Sequence, residues 1–464
     1  MKPRNIIETV NHDLCIGCGV CAAVCPDSIL EMRFNQFGEY NPIETADCTK
    51  ECGLCQKVCP FSDGIPNEDE IGRLLFGEIP GIQHRPETGY FLDTFVGHSR
   101  IDGHREHGSS GGLATWLLQT LLEEGTVDAV VCVTSNPDPE KLFRFAVFTT
   151  AAEVRAASGS AYYPIELSEV LRFIIDHPGR YAVIGLPCFV KAIRLAQLRN
   201  RNLRERIIVV IGLVCGQLKS RGFTAYLAAL AGLESAPEKI YFRGKDPTQP
   251  AGNFYFSFWD RDGEECRLYW SEGASEAWGN RWFTPIACNY CDDIFAECAD
   301  VTFMDAWLPE YSNDPSGTSM VIVRSQLTAQ LIDKGICQGT IDVRKISESE
   351  VVRSQSGVVA VKRNRLQYRL YRAKRREDPV PPKRVTALSV KNPVFRWDPI
   401  LKEDMQKISR NYFGTTAENG PFDCRGFRKS MRYQLYQIQI LVMLSVLSVE
   451  ATKRMIKIRR FIHG

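Results

Sequence analysis

The chain has 464 residues, with 57 Lys and Arg against 55 Asp and Glu, a balance that removes any global electrostatic case for nucleic acid or another polyanion. That length exceeds what one hydrophobic core usually organises, so two or three domains are expected. Seventeen cysteines behind an N-terminus, MKPRNIIETV, that lacks an apolar leader core read as metal ligands of a cytoplasmic protein rather than as disulfides.

Residues 8–62 carry eight of those cysteines in two quartets, each closed by Cys-Pro. Cys15, Cys18, Cys21 and Cys25 follow CxxCxxCxxxCP, and Cys48, Cys52, Cys55 and Cys59 follow CxxxCxxCxxxCP. Such spacing lets three thiolates wrap one face of a 4Fe–4S cubane, while the fourth, beside proline, ligates the other cluster in two-cluster ferredoxins. The expected sets are Cys15, Cys18, Cys21 with Cys59, and Cys48, Cys52, Cys55 with Cys25. They define a ferredoxin-like α+β module over residues 1–64 with two 4Fe–4S clusters. The extra residue between Cys48 and Cys52 alters a loop without preventing ligation. CxxC pairs also bind zinc, but two proline-closed quartets exceed what a zinc site needs.

Residues 65–92, rich in Gly, Pro and Asp, read as a linker. Over 93–350, helical stretches alternate with short β-branched runs, VDAVVCV at 127–133, YAVIGL at 181–186 and IIVVIGLVC at 207–215, which is an α/β pattern. GSSGG at 108–112 enters LATWLLQTLLEEG, where Leu113, Trp116, Leu117 and Leu121 mark one helical face. Ser109 or Ser110 can cap that helix and Gly125 can end it. Such a turn offers backbone N–H groups and a helix dipole to an anion, and serves equally as an ordinary helix start.

Cys188 and Cys215 each follow a run that reads as a buried parallel strand, whose carboxyl ends share the edge where ligands bind. Cys288 and Cys291 add a CxxC pair. The plainer reading makes Cys188 and Cys215 small buried apolar residues. Cys298 is a candidate substitute ligand, whereas Cys132, Cys266, Cys337 and Cys424 read as inert. His98, His104 and His107 lie among Arg100 and Arg105, which disfavour a bound cation, so Arg105 and His107 read as phosphate contacts rather than part of a metal site. No GxGxxG follows a strand, so direct use of NADH is not expected.

Together GSSGG, GSAYY (159–163), GLPC (185–188), LVCG (213–216), CNYCDD (288–293) and ADVTFMDAW (299–307) resemble the coenzyme F420 hydrogenase/dehydrogenase beta-subunit family. That family includes the F420-reducing hydrogenase beta subunit, hydroxymethyl chlorophyll reductase and divinyl chlorophyllide reductase. The resemblance covers about residues 8–325. It implies an FAD-binding α/β domain over 93–350, with Arg105, His107, Gly108, Ser109, Ser110, Gly111, Gly112, Ser160 and Tyr162 toward the flavin. It also implies a third 4Fe–4S cluster on Cys188, Cys215, Cys288 and Cys291. Asp292, Asp305 and Trp307 match a stretch that usually reads GD before the Trp, and Met304 stands here in place of that glycine. The substitution bears on the shape of the substrate pocket.

The activity implied is an iron-sulfur flavoprotein oxidoreductase that passes electrons between 4Fe–4S clusters and a hydride-exchanging small molecule through FAD. Coenzyme F420 is the type substrate, and no side chain is assigned as general acid. Two alternatives stay open: a pigment or polysaccharide-related substrate, and an electron-relay subunit docked on a redox partner protein such as a ferredoxin or a hydrogenase-type or dehydrogenase-type subunit.

Residues 351–424 form a basic extension, VKRNRLQYRLYRAKRRE, broken by PVPPK. Residues 425–464 read as an amphipathic C-terminal helix. Its apolar stretch at 434–449 is shorter than the roughly 20 residues that span a bilayer. Lys453, Arg454, Lys457, Arg459 and Arg460 follow, mixed with Ile456, Ile458, Phe461 and Ile462. That end suits peripheral contact with an anionic membrane surface, or packing on its own domain or a second copy.

Overall fold

The structure is a computed structural model that describes the backbone of residues 5–50, 52–416 and 421–462, with side chains described except at 393–394 and from 445 onward. The β-branched runs form strands Ala129–Ser135, Tyr181–Gly185 and Ile207–Leu213. They sit in an eight-stranded sheet whose order, by residues, is 341–345, 93–99, 319–323, 301–305, 207–213, 181–185, 129–135, 143–148. The four strands from 301–305 to 129–135 pair in parallel and the outer ones antiparallel. Fold class is therefore mixed α/β, as the alternating pattern implied.

Successive residues of the parallel strands point to opposite faces, and both faces are buried. Val131, Val183 and Val210 join one core. Val130, Ala182 and Val209 join the other, with Leu117 and Trp116 of helix Leu113–Glu123. The first core continues without a break into the N-terminal module, through Val20, Ala22, Leu30 and Met32. Leu171 and Ile174 of helix Ser168–Asp176 belong to that same core, and each such fully buried side chain contributes about 1.5–3 kcal/mol. Two polar clamps fix the contact. Leu167 N–H donates to the Cys18 carbonyl at 2.9 Å, and Arg172 donates to the carbonyls of Ala22 at 2.8 Å and Leu30 at 3.2 Å. From the opposite side Arg410 donates to Glu39 at 2.8 and 2.9 Å and to Asp13 at 3.0 Å.

The stretch read as a linker carries structure of its own. Asn67 caps helix Glu68–Phe76 in a reciprocal capping box with Glu70, a signal present in the sequence as Asn-x-x-Glu. A smaller antiparallel sheet, Lys239–Gly244, Tyr255–Trp259 and Glu265–Tyr269, rests on a core rich in aromatics. The extension beyond 350 folds back as helices Glu348–Ser354, Arg365–Arg376 and Pro393–Thr416.

The final helix is Cys424–Ile462. Phe427 and Met431 pack in the aromatic core, while Tyr433, Tyr436, Val442, Met443 and Leu444 are exposed. The side chains at 453–462, including the basic run, lie outside the described residues. Among the described residues no helix is long and apolar enough to cross a membrane.

Candidate functional site

In the module, Cys15, Cys18, Cys21 and Cys59 lie close enough for each thiolate to disfavour the others. Burial pushes the Cys15 thiol up to about 12, with Cys59 adding to the rise. Cys25, Cys48, Cys52 and Cys55 line a cavity of about 230 Å³ with Pro26, Ile29, Leu30 and Leu54.

The body assembles a third set on the carboxyl edge of the parallel sheet. Cys188 enters the first turn of helix Pro187–Gln197, directly after strand Tyr181–Gly185. Cys215 follows the neighbouring parallel strand, where Gly212 pairs with Gly185. Cys288 lies in, and Cys291 just after, the 3-10 turn Ile286–Tyr290. Burial raises the Cys188 thiol far above its ordinary value, and Cys291, Cys215 and Cys288 add to the rise. Burial likewise pushes Cys215 up to about 12. Thiols this reluctant to ionise stay protonated at neutral pH unless a metal replaces the proton.

Cations crowd this set. Lys362, 3 % exposed on the π-helical turn Ala360–Asn364, donates to Cys291 Sγ at 3.2 Å and to the Asp293 carbonyl at 2.8 Å. Burial pulls its ammonium down, and negative charge on the Cys291 and Cys215 sulfurs, such as a bound cluster would bring, more than reverses that. Arg281, 4 % exposed, has no hydrogen-bond partner for Nε or Nη2 among the described residues. Lys219, whose ammonium is held well below its ordinary range by burial and by Arg281, donates to the Trp282 carbonyl at 2.7 Å. Leu218 N–H points at Cys288 Sγ, 3.4 Å away.

Cys298 stands apart from these four cysteines, facing Glu68, Asp293, Lys191 and Glu297, which argues against it as a substitute ligand. Cys132 lies in the sheet core, Cys337 is exposed, and Cys266 and Cys424 border the aromatic core. Asp292 is not at the pocket edge. It is buried against Lys383 at 3.4 Å and Arg384 at 3.7 Å, in a network where Arg384 also meets Glu297 at 2.6 Å and Asp69 at 3.1 Å.

The glycine-rich turn lies on the same sheet edge. Gly112, at φ 74°, is the N-cap of helix Leu113–Glu123, and no side chain caps it. Neither serine does so, because each is engaged elsewhere. Ser109 Oγ pairs with Ser160 Oγ at 2.6 Å, and Ser110 Oγ donates to the Thr318 carbonyl at 2.7 Å. A Cβ on Gly112 would lie 2.5 Å from the His104 carbonyl oxygen, so close packing of the turn on itself already requires glycine there.

The Ser109–Ser160 contact joins GSSGG to GSAYY, and two residues that the sequence did not single out complete the cleft. Arg243 donates to both oxygens of Asp305 at 3.0 and 3.1 Å, to the Ser109 carbonyl at 2.8 Å and to Tyr162 Oη at 3.2 Å. Its Nε has no partner among the described residues. Lys245 donates to the carbonyls of Ser110 at 2.7 Å, Ser316 at 2.6 Å and Arg105. Burial first, then the guanidiniums of Arg243 and Arg105, hold its ammonium down at about 8. Arg243 lies within the register shift between Tyr241 and Gly244 and Lys245 just after it, and such a shift re-aims side chains. The only local signal is two cations flanking a glycine at a strand end, FRGK.

Arg105 itself turns to the Gly317 carbonyl, at 2.8 and 2.9 Å, and pairs with Asp314. The His107 carbonyl accepts from Tyr241 Oη at 3.4 Å. His104 is buried, with Nδ1 3.1 Å from Ser99 Oγ and Nε2 2.8 Å from Gln119 Oε1. The three histidines do not gather, and among the described residues no three His, Cys, Asp or Glu side chains are grouped for a single metal ion. A four-iron cluster takes each thiolate on a separate iron, so its cysteines stand farther apart than ligands of one ion.

Asp305 and Trp307 line the cleft with Ser109, Ser110, Arg243 and Lys245. Met304 instead packs in the core with Phe295 and Met320, so replacing glycine there fills the interior rather than the cleft. The enclosed part is small, about 10 Å³, less than a flavin ring needs. Trp278 stands between the two sites. Its ring meets Tyr162 edge-on with centroids 5.2 Å apart, and its carbonyl accepts from Gln217 Nε2 at 2.8 Å, two residues beyond Cys215.

Comparison with known proteins gives three family matches. Two are to the beta subunit of coenzyme F420 hydrogenase/dehydrogenase, its N-terminal part over residues 94–172 and its C-terminal part over 179–349, and the third is to a "4Fe-4S dicluster domain" over 14–62. The chain is 28% identical over 221 residues to the F subunit of F(420)H(2) dehydrogenase from Methanosarcina mazei, covering 46% of this chain and 56% of that one. It is 25% identical over 191 residues to "Coenzyme F420-dependent sulfite reductase" of Methanocaldococcus jannaschii, covering 41% and 26%. It therefore spans less than two thirds of either relative. A chain in a structure of the F420-reducing [NiFe] hydrogenase complex from Methanosarcina barkeri superposes with a TM-score of 0.46 at 19% identity, over 60% of this chain and 92% of that one. The two beta-subunit matches together take in more than half of the sequence, and the chain belongs to the coenzyme F420 hydrogenase/dehydrogenase beta-subunit family, with a 4Fe–4S dicluster domain at its N-terminal end.

Proposed function

We propose that the chain is an iron-sulfur flavoprotein oxidoreductase serving a hydride-exchanging substrate, coenzyme F420 or a carrier of similar chemistry. One cluster would be held by Cys15, Cys18, Cys21 and Cys59, a second by Cys25, Cys48, Cys52 and Cys55, and a third by Cys188, Cys215, Cys288 and Cys291. The buried thiols, the cavity beside Cys25 and the orphaned guanidinium of Arg281 suit anionic metal clusters. Bound FAD supplies exchange between the two electrons of a hydride and one-electron clusters.

On the protein side, the free Nε of Arg243 and the amino end of helix Leu113–Glu123 suit the anionic part of such a group. Lys245 braces the turn by its three carbonyl contacts and adds positive charge. Phe254 and Trp307 give the cleft apolar faces, 4.3 and 5.8 Å from the Arg243 guanidinium. The carrying observation is adjacency: Trp278 touches both Tyr162 at the cleft and Gln217, two residues beyond Cys215. The relatives' names, a dehydrogenase subunit and a sulfite reductase, support a redox partner protein.

The test is anaerobic purification with iron and flavin quantified per chain, repeated for Cys288→Ala with Cys291→Ala. About twelve irons and one FAD, falling by about four irons in the variant, are expected. About eight irons in both proteins removes the third cluster, and absence of flavin turns the reading to an electron relay without a substrate of its own.

A further inference from the structure

The three cysteine sets sit in different electrostatic surroundings. Around Cys15 and Cys18 the charged side chains are the carboxylates Glu39 and Glu166, and Lys191 faces Cys59. Around Cys48 they are Glu44 and Asp27; Lys50 faces Cys52 and Cys25 but is exposed and compensated by Asp27 at 2.5 Å, and Lys57 donates to the Cys52 carbonyl at 3.1 Å. Around the body set they are cations. Lys362 touches Cys291 at 3.2 Å, and Arg281 faces Cys288, Cys291 and Cys215 together with Glu403, a carboxylate already paired with Arg369 at 3.2 Å and Arg372 at 2.7 Å. The nearby Asp293 carboxylate is turned away to accept from Glu297 N–H, at 3.2 and 3.3 Å.

Arg281 also adopts φ 61°, a conformation that costs a non-glycine residue energy and persists only where its surroundings over-determine it. Two nitrogens of this buried guanidinium have no partner among the described residues, an arrangement that favours further negative charge beside it. We propose that Lys362 and Arg281 make the body's four-cysteine cluster the most readily reduced of the three, so that electrons entering the chain collect beside the flavin cleft. This rests on the reading that Cys188, Cys215, Cys288 and Cys291 hold a cluster.

Reduction adds one negative charge at the four thiolates and makes or breaks no bond. A low-potential one-electron donor protein supplies the electron, a module cluster passes it on and is reoxidised, and the body cluster is reduced. Burial opposes that reduction, because low dielectric penalises the more highly charged state. The same low dielectric magnifies the attraction of two unscreened cations at contact range. Net charge and hydrogen bonds to sulfur set cluster potentials, and the Leu218 N–H at Cys288 adds to the effect.

The test is a dithionite titration of the full anaerobic chain at controlled potentials, followed by electron paramagnetic resonance with iron counted in parallel. The signal missing from the Cys288→Ala, Cys291→Ala variant identifies the body cluster. With about twelve irons present, that signal should be the first to appear on reduction. Lys362→Gln should lower its reduced-to-oxidised ratio at fixed potential about tenfold, equivalent to about 59 mV for one electron, and Lys362→Arg should restore most of it. Appearance of that signal after either module signal overturns the inference, as does an unshifted Lys362→Gln that retains its iron. If Lys362→Gln sheds iron, the order of the signals in the unmodified chain decides. About eight irons in the unmodified chain overturns the inference together with the cluster reading beneath it, whereas twelve irons in the wrong order overturns the inference alone.

Discussion

The module draws its eight cysteines from residues 15–59, in loops closed by tight local turns. The body draws four from residues 188–291, held in place by the pairing of two parallel strands and by a lysine from residue 362. The first arrangement depends on spacing along the chain, the second on the whole sheet being assembled. Damage to long-range packing should therefore empty the body site while the module keeps its iron, and damage to a module turn should do the reverse.

The largest expected effect tests the long-range side. Arg384→Leu removes the cation shared by Glu297, Asp69 and Asp292, leaving Glu297 only Arg363 and Asp292 only Lys383 as ion-pair partners among the described residues, which should destabilise the chain by about 3 kcal/mol. Chemical denaturation followed by tryptophan fluorescence measures the loss, and iron counted along the same transition should leave the body before the module. Release in the opposite order would break the comparison.

A smaller effect separates two turns within the module. Gly19 and Gly53 both hold positive φ, 76° and 58°. A Cβ on Gly19 would collide with Glu166 Oε2 and lie 2.9 Å from Ser168 N, whereas one on Gly53 meets nothing within 4 Å. Gly53→Ala should cost about 1–2 kcal/mol from backbone conformation alone. Gly19→Ala should cost more and should raise amide exchange in helix Ser168–Asp176, because the module is pushed off it. Equal exchange in the two variants would show that Gly19 serves only its own turn.

The smallest effect concerns the cleft. Lys245, held down to about 8 by burial and by its two arginine neighbours, carries its charge below that pH and loses it above. Affinity for an anionic ligand should therefore fall as pH rises through about 8. Flavin retention against pH measures this, and Lys245→Arg, charged throughout, should flatten the profile. A profile that falls equally in the arginine variant would assign the titration to another group.

The same contrast explains what could be read from sequence. The quartets were legible because their spacing along the chain is itself the signal, and a 4Fe–4S dicluster domain match covers them. The parallel strands were legible because a strand buried on both faces is apolar at every position, as Tyr181–Gly185 is. Asn67 and Glu70 announced a helix inside the supposed linker, but a short helix among glycines and prolines shows too little periodicity to stand out. The caps assigned to Ser109 and Ser110 failed because both hydroxyls are claimed by partners distant in sequence, Ser160 and Thr318. Lys362 and Arg243 carried almost no local sign. One lies in a run of basic residues, and the other needs Asp305, 62 positions away, before its place has meaning.

The unbroken core between the module and the sheet bears on how such a protein can be taken apart. A cut after residue 64 would follow the boundary that composition suggests, yet it would bare Val20, Ala22 and Leu30 and strip the Cys18 carbonyl of the Leu167 N–H. The freed piece would carry a sticky apolar face, and the remainder a matching one along Leu171 and Ile174. Grafting this module onto another enzyme as a portable electron input would therefore require transplanting helix Ser168–Asp176 with it, or redesigning the exposed face to tolerate water.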